Sequence, residues 1–117
     1  MYVGVARVVL QIPGARSLKD RRSVVKSYKD RLKARLTVSV AEVGDVEAWQ
    51  VATIGIAVTS KDRSRCEEAI SQAASMARSL SDAWLADLRT EVLSFGTGGE
   101  RLARGIETEL APPRKSS

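Results

Sequence analysis

Nine of the chain's 19 lysines and arginines fall between residues 16 and 35: Arg16, Lys19, Arg21, Arg22, Lys26, Lys29, Arg31, Lys33 and Arg35. Only Asp20 and Asp30 oppose them there, so this stretch carries +7 and the rest of the 117-residue chain, at +5 overall, carries −2. Ammonium and guanidinium groups concentrated in this way suit contact with a polyanion, nucleic acid first, through phosphate recognition that positions a protein without reading sequence. Groups that make and break bonds are scarce. There is no histidine, which removes the usual base, proton shuttle and metal ligand. The single Cys66 can build neither an internal disulfide nor a zinc site. It falls on a helical apolar stripe, where a buried small hydrophobe is the expected reading. Glu42, Asp45 and Glu47 cluster near one turn and read as a solvated turn rather than a cation site. Gly96-Thr97-Gly98-Gly99 has no following Lys-Ser or Lys-Thr and reads as a flexible strand exit, not a phosphate loop. The residues therefore predict a non-enzymatic protein with no metal and no cofactor.

A helix must present the cations. From Ser17 to Leu36, SLKDRRSVVKSYKDRLKARL, a turn of about 100° per residue brings Val25, Tyr28, Leu32 and Leu36 within roughly 80° of each other, with Val24 at the margin. Lys19, Arg22, Lys26, Lys29 and Lys33 then form a second stripe free of acids. Ser17 is the predicted N-cap, with Asp20 three residues on. Charged runs on helices are commonly solvated faces. Two features favour a partner instead. Lys19, Arg21 and Arg22 lie in the first turns, where cations oppose the helix dipole at roughly 0.3 to 1 kcal/mol each. The stripe also spans roughly 21 Å at helical rise, enough for several phosphates. The candidate RNA contacts are Arg16, Lys19, Arg21, Arg22, Lys26, Lys29 and Lys33.

Around this helix the pattern alternates between strand and helix. Tyr2 to Ile12 predicts a strand with Ala6, Val8, Leu10 and Ile12 inward, stopped by Pro13-Gly14. Thr37 to Gly44 and Trp49 to Thr59 predict a hairpin, the second strand turning Ala52, Ile54, Ile56 and Val58 inward. Asp62 precedes a helix with Cys66, Ala69, Ile70, Ala73, Met76, Ala77 and Leu80 on one face. A last strand within Leu85 to Phe95 is read with Ala86, Leu88 and Val92 on one face and Asp87, Arg89 and Glu91 on the other. The order β-α-β-β-α-β predicts an α+β, ferredoxin-like split βαβ domain: a four-stranded antiparallel sheet with two helices on one face.

The length suits one domain, expected over residues 1–96, with residues 97–117 a mobile C-terminal extension whose only apolar pattern is Leu102, Ile106 and Leu110. No apolar run approaches the length needed to span a bilayer, and Met1-Tyr2-Val3-Gly4 lacks a basic region ahead of an apolar one, so a soluble cytoplasmic protein with no membrane contact is expected.

The sheet face away from the helices carries Val3, Val5, Arg7, Val9 and Gln11 from the first strand and Trp49, Val51, Thr53 and Ala57 from the third, too apolar to stand comfortably in water. RNA, a second copy or the chain's own tail would each cover it. The basic aromatic motif of RNA-recognition strands is absent, and aromatic residues are 4% of the chain, so base stacking is a weak reading. Self-association through Val5, Arg7, Trp49, Val51 and Thr53, giving a homo-oligomer and first of all a dimer, is the expectation for this face.

The strings IPGARSLKDRRSVVKSYKDRLKARLTVSVAEVG and WQVATIGIAVTS resemble the YlxP-like family, catalogued as domain of unknown function 503, over residues 2 to 95; SLKDRRSVVK followed by VSVAEVG is the specific part. The resemblance implies a small bacterial ferredoxin-like protein of a kind often encoded beside translation initiation and ribosome-maturation factors. It thus implies a ribosome-associated role with ribosomal RNA or the small ribosomal subunit as partner, and no established enzymatic activity. The family's basic helix start corresponds here to Arg16, Ser17, Lys19, Arg21, Arg22 and Lys26. Leu36-Thr37 stands where Phe-Asn is common, and the tail after Gly96 departs further. The alternative class is a homo-oligomerising or small-ligand-binding module acting through the open sheet face.

Overall fold

The computed structural model describes residues 1–45 and 48–96. They form β1 (Tyr2–Gln11), α1 (Leu18–Arg35), β2 (Ser39–Glu42), β3 (Val51–Ser60), α2 (Arg63–Arg78) and β4 (Trp84–Ser94). The strands make one sheet in the order β2-β3-β1-β4 with every neighbour antiparallel. This is the ferredoxin-like split βαβ topology. The predicted 97–117 extension, with Leu102, Ile106 and Leu110, lies outside the described residues.

Strand β1 is central, paired on both sides, and its period-2 pattern divides the sheet. Ala6, Val8 and Leu10 are buried beneath the helices with Ala52, Ile54 and Ile56 of β3. From the helices come Val25, Tyr28 and Leu32 of α1 and Ile70, Ala73 and Ala77 of α2. Burying each large aliphatic side chain contributes about 1.5–3 kcal/mol against leaving it in water. The helices meet through Tyr28, whose hydroxyl donates to the Ala73 carbonyl at 2.9 Å. Gly4 lets α2 settle onto β1, because a Cβ at that position would lie 2.7 Å from Ile70 Cδ1 and 3.1 Å from Cys66 Cβ. Cys66 is buried, as expected for a structural thiol.

The strands depart from expectation at their ends, as where β2 covers only Ser39–Glu42 of the expected 37–44, and at two places that bear on the sheet faces. β3 begins at Val51, so Trp49 lies in the bend before the ladder and not on the strand. In β4 the register shifts: Val9 faces Asp87 but Leu10 faces Leu85, leaving Ala86 as the extra residue of a bulge. The bulge reverses the alternation, so Leu85, and not the exposed Ala86, packs against the core beside Leu88 and Val92.

Candidate nucleic-acid interface

Helix α1 starts where the sequence says it should. Ser17 is the N-cap, with its Oγ accepting from the Asp20 N–H at 3.2 Å, and the Asp20 carboxylate accepts from the Arg16 N–H at 3.0 Å. Each such cap contributes about 1 kcal/mol. Val25, Tyr28 and Leu32 hold the inner face down, and the flank that carries the basic stripe turns to solvent. Lys19, Arg22, Lys26 and Lys33 are exposed there, Lys29 is half-buried, and Arg16 is exposed just ahead of the helix. Lys26 is the one member of the stripe with an ion pair among the described residues, to Asp30 at 2.6 Å. That hydrogen bond holds the Asp30 carboxyl below its ordinary pKa, and the charges of Lys33 and Lys29 act in the same direction. The stripe is thus a surface of positive potential with one acid at its border.

Arg21, grouped by sequence with the RNA contacts, is elsewhere. Its side chain is 1% exposed, ion-paired to Glu42 at the end of β2. The same guanidinium donates to the carbonyls of Val51 and Asp45, each at 3.3 Å. It is unavailable to a phosphate. The correction extends to Glu42, which is a partly buried counter-ion and not a member of a solvated turn; Glu47 lies outside the described residues. A signal for this was present in the sequence. On the helical wheel Arg21 falls at about 300°, between Tyr28 at about 280° and Leu32 at about 320°, so it had to point inward and find an acid. Among the described residues no group of three or more Asp, Glu or Cys could hold a metal ion.

The five residues read as a self-association surface do not all come together. Val5, Arg7, Val51 and Thr53 share the helix-free face of β1 and β3, half-buried or exposed. Trp49, 53% exposed, stands ahead of the ladder. Arg7 is ion-paired to Asp87 of β4 at 3.2 Å, with both side chains about half exposed; such a pair contributes under about 1 kcal/mol. Val43, Val51 and Leu93 add exposed apolar surface. No helix among the described residues is long and apolar enough to cross a membrane.

Residues 3–90 match the family model described as "Protein of unknown function (DUF503)". The chain belongs to the DUF503 family. A member-level likeness agrees: the chain is 35% identical over 66 residues to "Uncharacterized protein YlxP" of Bacillus subtilis (strain 168), covering 56% of this chain and 72% of that one. Among solved structures it is similar to the de novo designed protein Foldit4, with a TM-score of 0.50 at 12% identity over 80% of this chain and 98% of the other. A second designed protein, LFR1 1, described as having a ferredoxin fold, superposes with a TM-score of 0.49 at 14% identity over 84% and 90%. At 12% identity the likeness to Foldit4 speaks to the fold alone.

Proposed function

We propose that this DUF503 chain is a non-enzymatic, cytoplasmic accessory protein of the ribosome that binds ribosomal RNA, on the small subunit first, through the outer face of α1. One observation carries the reading: Lys19, Arg22, Lys29 and Lys33 lie along one helix face with no ion-pair partner among the described residues. The lysines reach phosphates as point charges and Arg22 as a two-pronged donor, and each contact releases condensed counter-ions, so binding is strong at low salt and sequence-tolerant. Co-sedimentation with purified small ribosomal subunits, and with their naked RNA, at low and raised salt tests it. Binding that falls steeply as salt rises is the expected result; no co-sedimentation at low salt would remove the reading.

The open sheet face supports a second reading, a small-ligand module. A shallow apolar depression of about 320 Å³ lies against Val5, Ala41, Val43, Gly55 and Ala57. It exists because Gly55 has no Cβ, which would sit 3.0 Å from Val43 Cγ1. Saturable enhancement of an apolar fluorescent dye, abolished by Gly55→Val, is its signature.

A further inference from the structure

The two edges of the sheet are unequal. β2 is four residues long, whereas β4 runs for eleven, and among the described residues no strand pairs with its outer side. A long exposed edge is a template for a further strand unless it is blunted or used.

The backbone polarity of that edge is readable. Met1 and Phe95 exchange hydrogen bonds, the Phe95 N–H to the Met1 carbonyl at 2.8 Å and the Met1 amino group to the Phe95 carbonyl at 2.9 Å. By strict alternation in the regular part of the ladder, Asp87, Arg89, Glu91 and Leu93 turn their backbone groups toward β1, and Leu88, Thr90 and Val92 turn theirs outward. The Val92 carbonyl agrees, since it accepts from Arg63 Nη2 at 3.5 Å on the outer side.

We propose that β4 pairs antiparallel with β4 of a second copy, centred on Thr90, to make one continuous eight-stranded sheet. Among the in-register centres from Leu88 to Glu91, which keep the ladder within β4, the side chains select this one. Pairing about Thr90 sets Arg89 opposite the second copy's Glu91, and the reverse, on the open face. It sets Leu88 opposite the second copy's Val92 on the helix face, with Thr90 meeting its own counterpart on the axis. The outward N–H and C=O groups of Leu88, Thr90 and Val92 then all find partners. Centring on Arg89 would oppose Asp87 to Glu91 and arginine to arginine; centring on Glu91 would oppose glutamate to glutamate; centring on Leu88 would run the ladder into the bulge at Ala86. Beneath this edge, a groove of about 410 Å³ between α2 and β4 is lined by Leu88, Thr90 and Val92 together with Ser71 and Ala74 of α2. Arg63, Glu67 and Arg78 add charge to that lining, and the small Ser71 and Ala74 leave room for the matching Leu88 and Val92 side chains of the second copy. Arg63 gives up its long hydrogen bond to Val92 in exchange for the second copy's Leu88 N–H. The pairing is independent of the RNA reading, because α1 lies toward the β2 side of the sheet, away from β4.

Sedimentation of the full chain over a range of concentrations tests this. Wild type is expected to reach the dimer mass. Arg89→Glu and Glu91→Arg, each of which opposes like charges twice across the axis, are expected to weaken the dimer about ten-fold or more, and the double swap to restore it to within about three-fold of wild type. Mild oxidation of Thr90→Cys should join two copies, because facing hydrogen-bonded residues sit about 5.5 Å apart between Cα atoms, within disulfide reach; Cys66 is buried and does not compete. A wild type that stays monomeric at millimolar concentration overturns the proposal. So does a dimer that Val51→Glu dissociates while Arg89→Glu leaves it intact, and so does a dimer in which Thr90→Cys fails to cross-link.

Discussion

The guanidinium of Arg21, in the first turn of α1, is ion-paired to the carboxylate of Glu42 at the end of β2, with side-chain exposures of 1% and 16%. Its further bonds to the carbonyls of Asp45 and Val51 tie the start of the helix to both ends of the β2–β3 connection. The most deeply buried charge among the described residues therefore sits one residue from Arg22 on the exposed basic stripe. Arg21 shares the buried face of α1 with Val25, Tyr28 and Leu32, and the four together turn the stripe outward.

Arg21→Ala is expected to lower stability by roughly 2–4 kcal/mol, because it strands a partly buried carboxylate. The double change Arg21→Met with Glu42→Leu should recover much of that loss, since well-packed apolar side chains replace a buried pair at little cost. Urea midpoints at constant slope measure both. A loss under about 0.5 kcal/mol for Arg21→Ala would mean the pair is as weak as a surface one.

How far the sequence could be read follows from the range of each cause. The element order, the Ser17 cap and the inward stripe of α1 rest on local periodicity, and all three stand in the structure. Charge composition groups Arg21 with the stripe, whereas its wheel position points it inward; its partner Glu42 lies 21 residues away and no local pattern names it. Ala86 departs from expectation for a different reason. A bulge is set by pairing between Leu10 and Leu85, and period-2 counting along β4 alone cannot register an extra residue. Trp49 reads as strand by propensity, but the β3 ladder that would have recruited it begins two residues later.

Burial pushes the Tyr28 phenol up to about 12 from its ordinary value near 10. The folded protein therefore favours the protonated hydroxyl, so this contribution is whole below pH 10 and is lost as pH rises toward 12, by on the order of 3 kcal/mol. Tyr28→Phe should cost about 1 kcal/mol at neutral pH, through loss of the bond to Ala73, and should escape the alkaline decline. The stability difference between wild type and variant, measured by denaturant at each pH, ought to shrink and reverse across that window. Parallel curves would refute it.

Gly4→Ala is expected to destabilise by about 1–3 kcal/mol, because the added methyl meets Ile70, Cys66 and Val58 at 2.7 to 3.1 Å in the packed seam between β1 and α2. Gly14→Ala is the control: nothing lies within 4 Å of its Cβ and its φ is not positive, so its effect should be neutral or slightly stabilising. A thermal midpoint for Gly4→Ala that matches or exceeds that of Gly14→Ala would show that the close contacts at Gly4 do not set its cost.

The basic face of α1 separates charge from packing, which makes its role measurable. Arg22 and Lys26 are exposed and Lys29 half-buried, on a flank of the helix beside the face of buried Val25, Tyr28 and Leu32 and distinct from it. Reversing Arg22, Lys26 and Lys29 to glutamate should leave the core intact and change stability little, since surface charges are worth under about 1 kcal/mol each. The Lys26–Asp30 pair is lost in the process, at a few tenths of a kcal/mol for an i,i+4 pair. If these cations meet ribosomal RNA phosphates, the logarithm of the binding constant must fall linearly with the logarithm of salt concentration, and the triple variant should bind less tightly with a slope shallower by about one for each lost contact. Val25→Ala should do the opposite, lowering stability by roughly 1–2 kcal/mol while leaving the slope alone. Arg21→Met with Glu42→Leu, being buried, should also leave it alone, which separates the clasp from the stripe. Equal binding by wild type and the triple variant at every salt concentration would reduce the stripe to a solvated helix face.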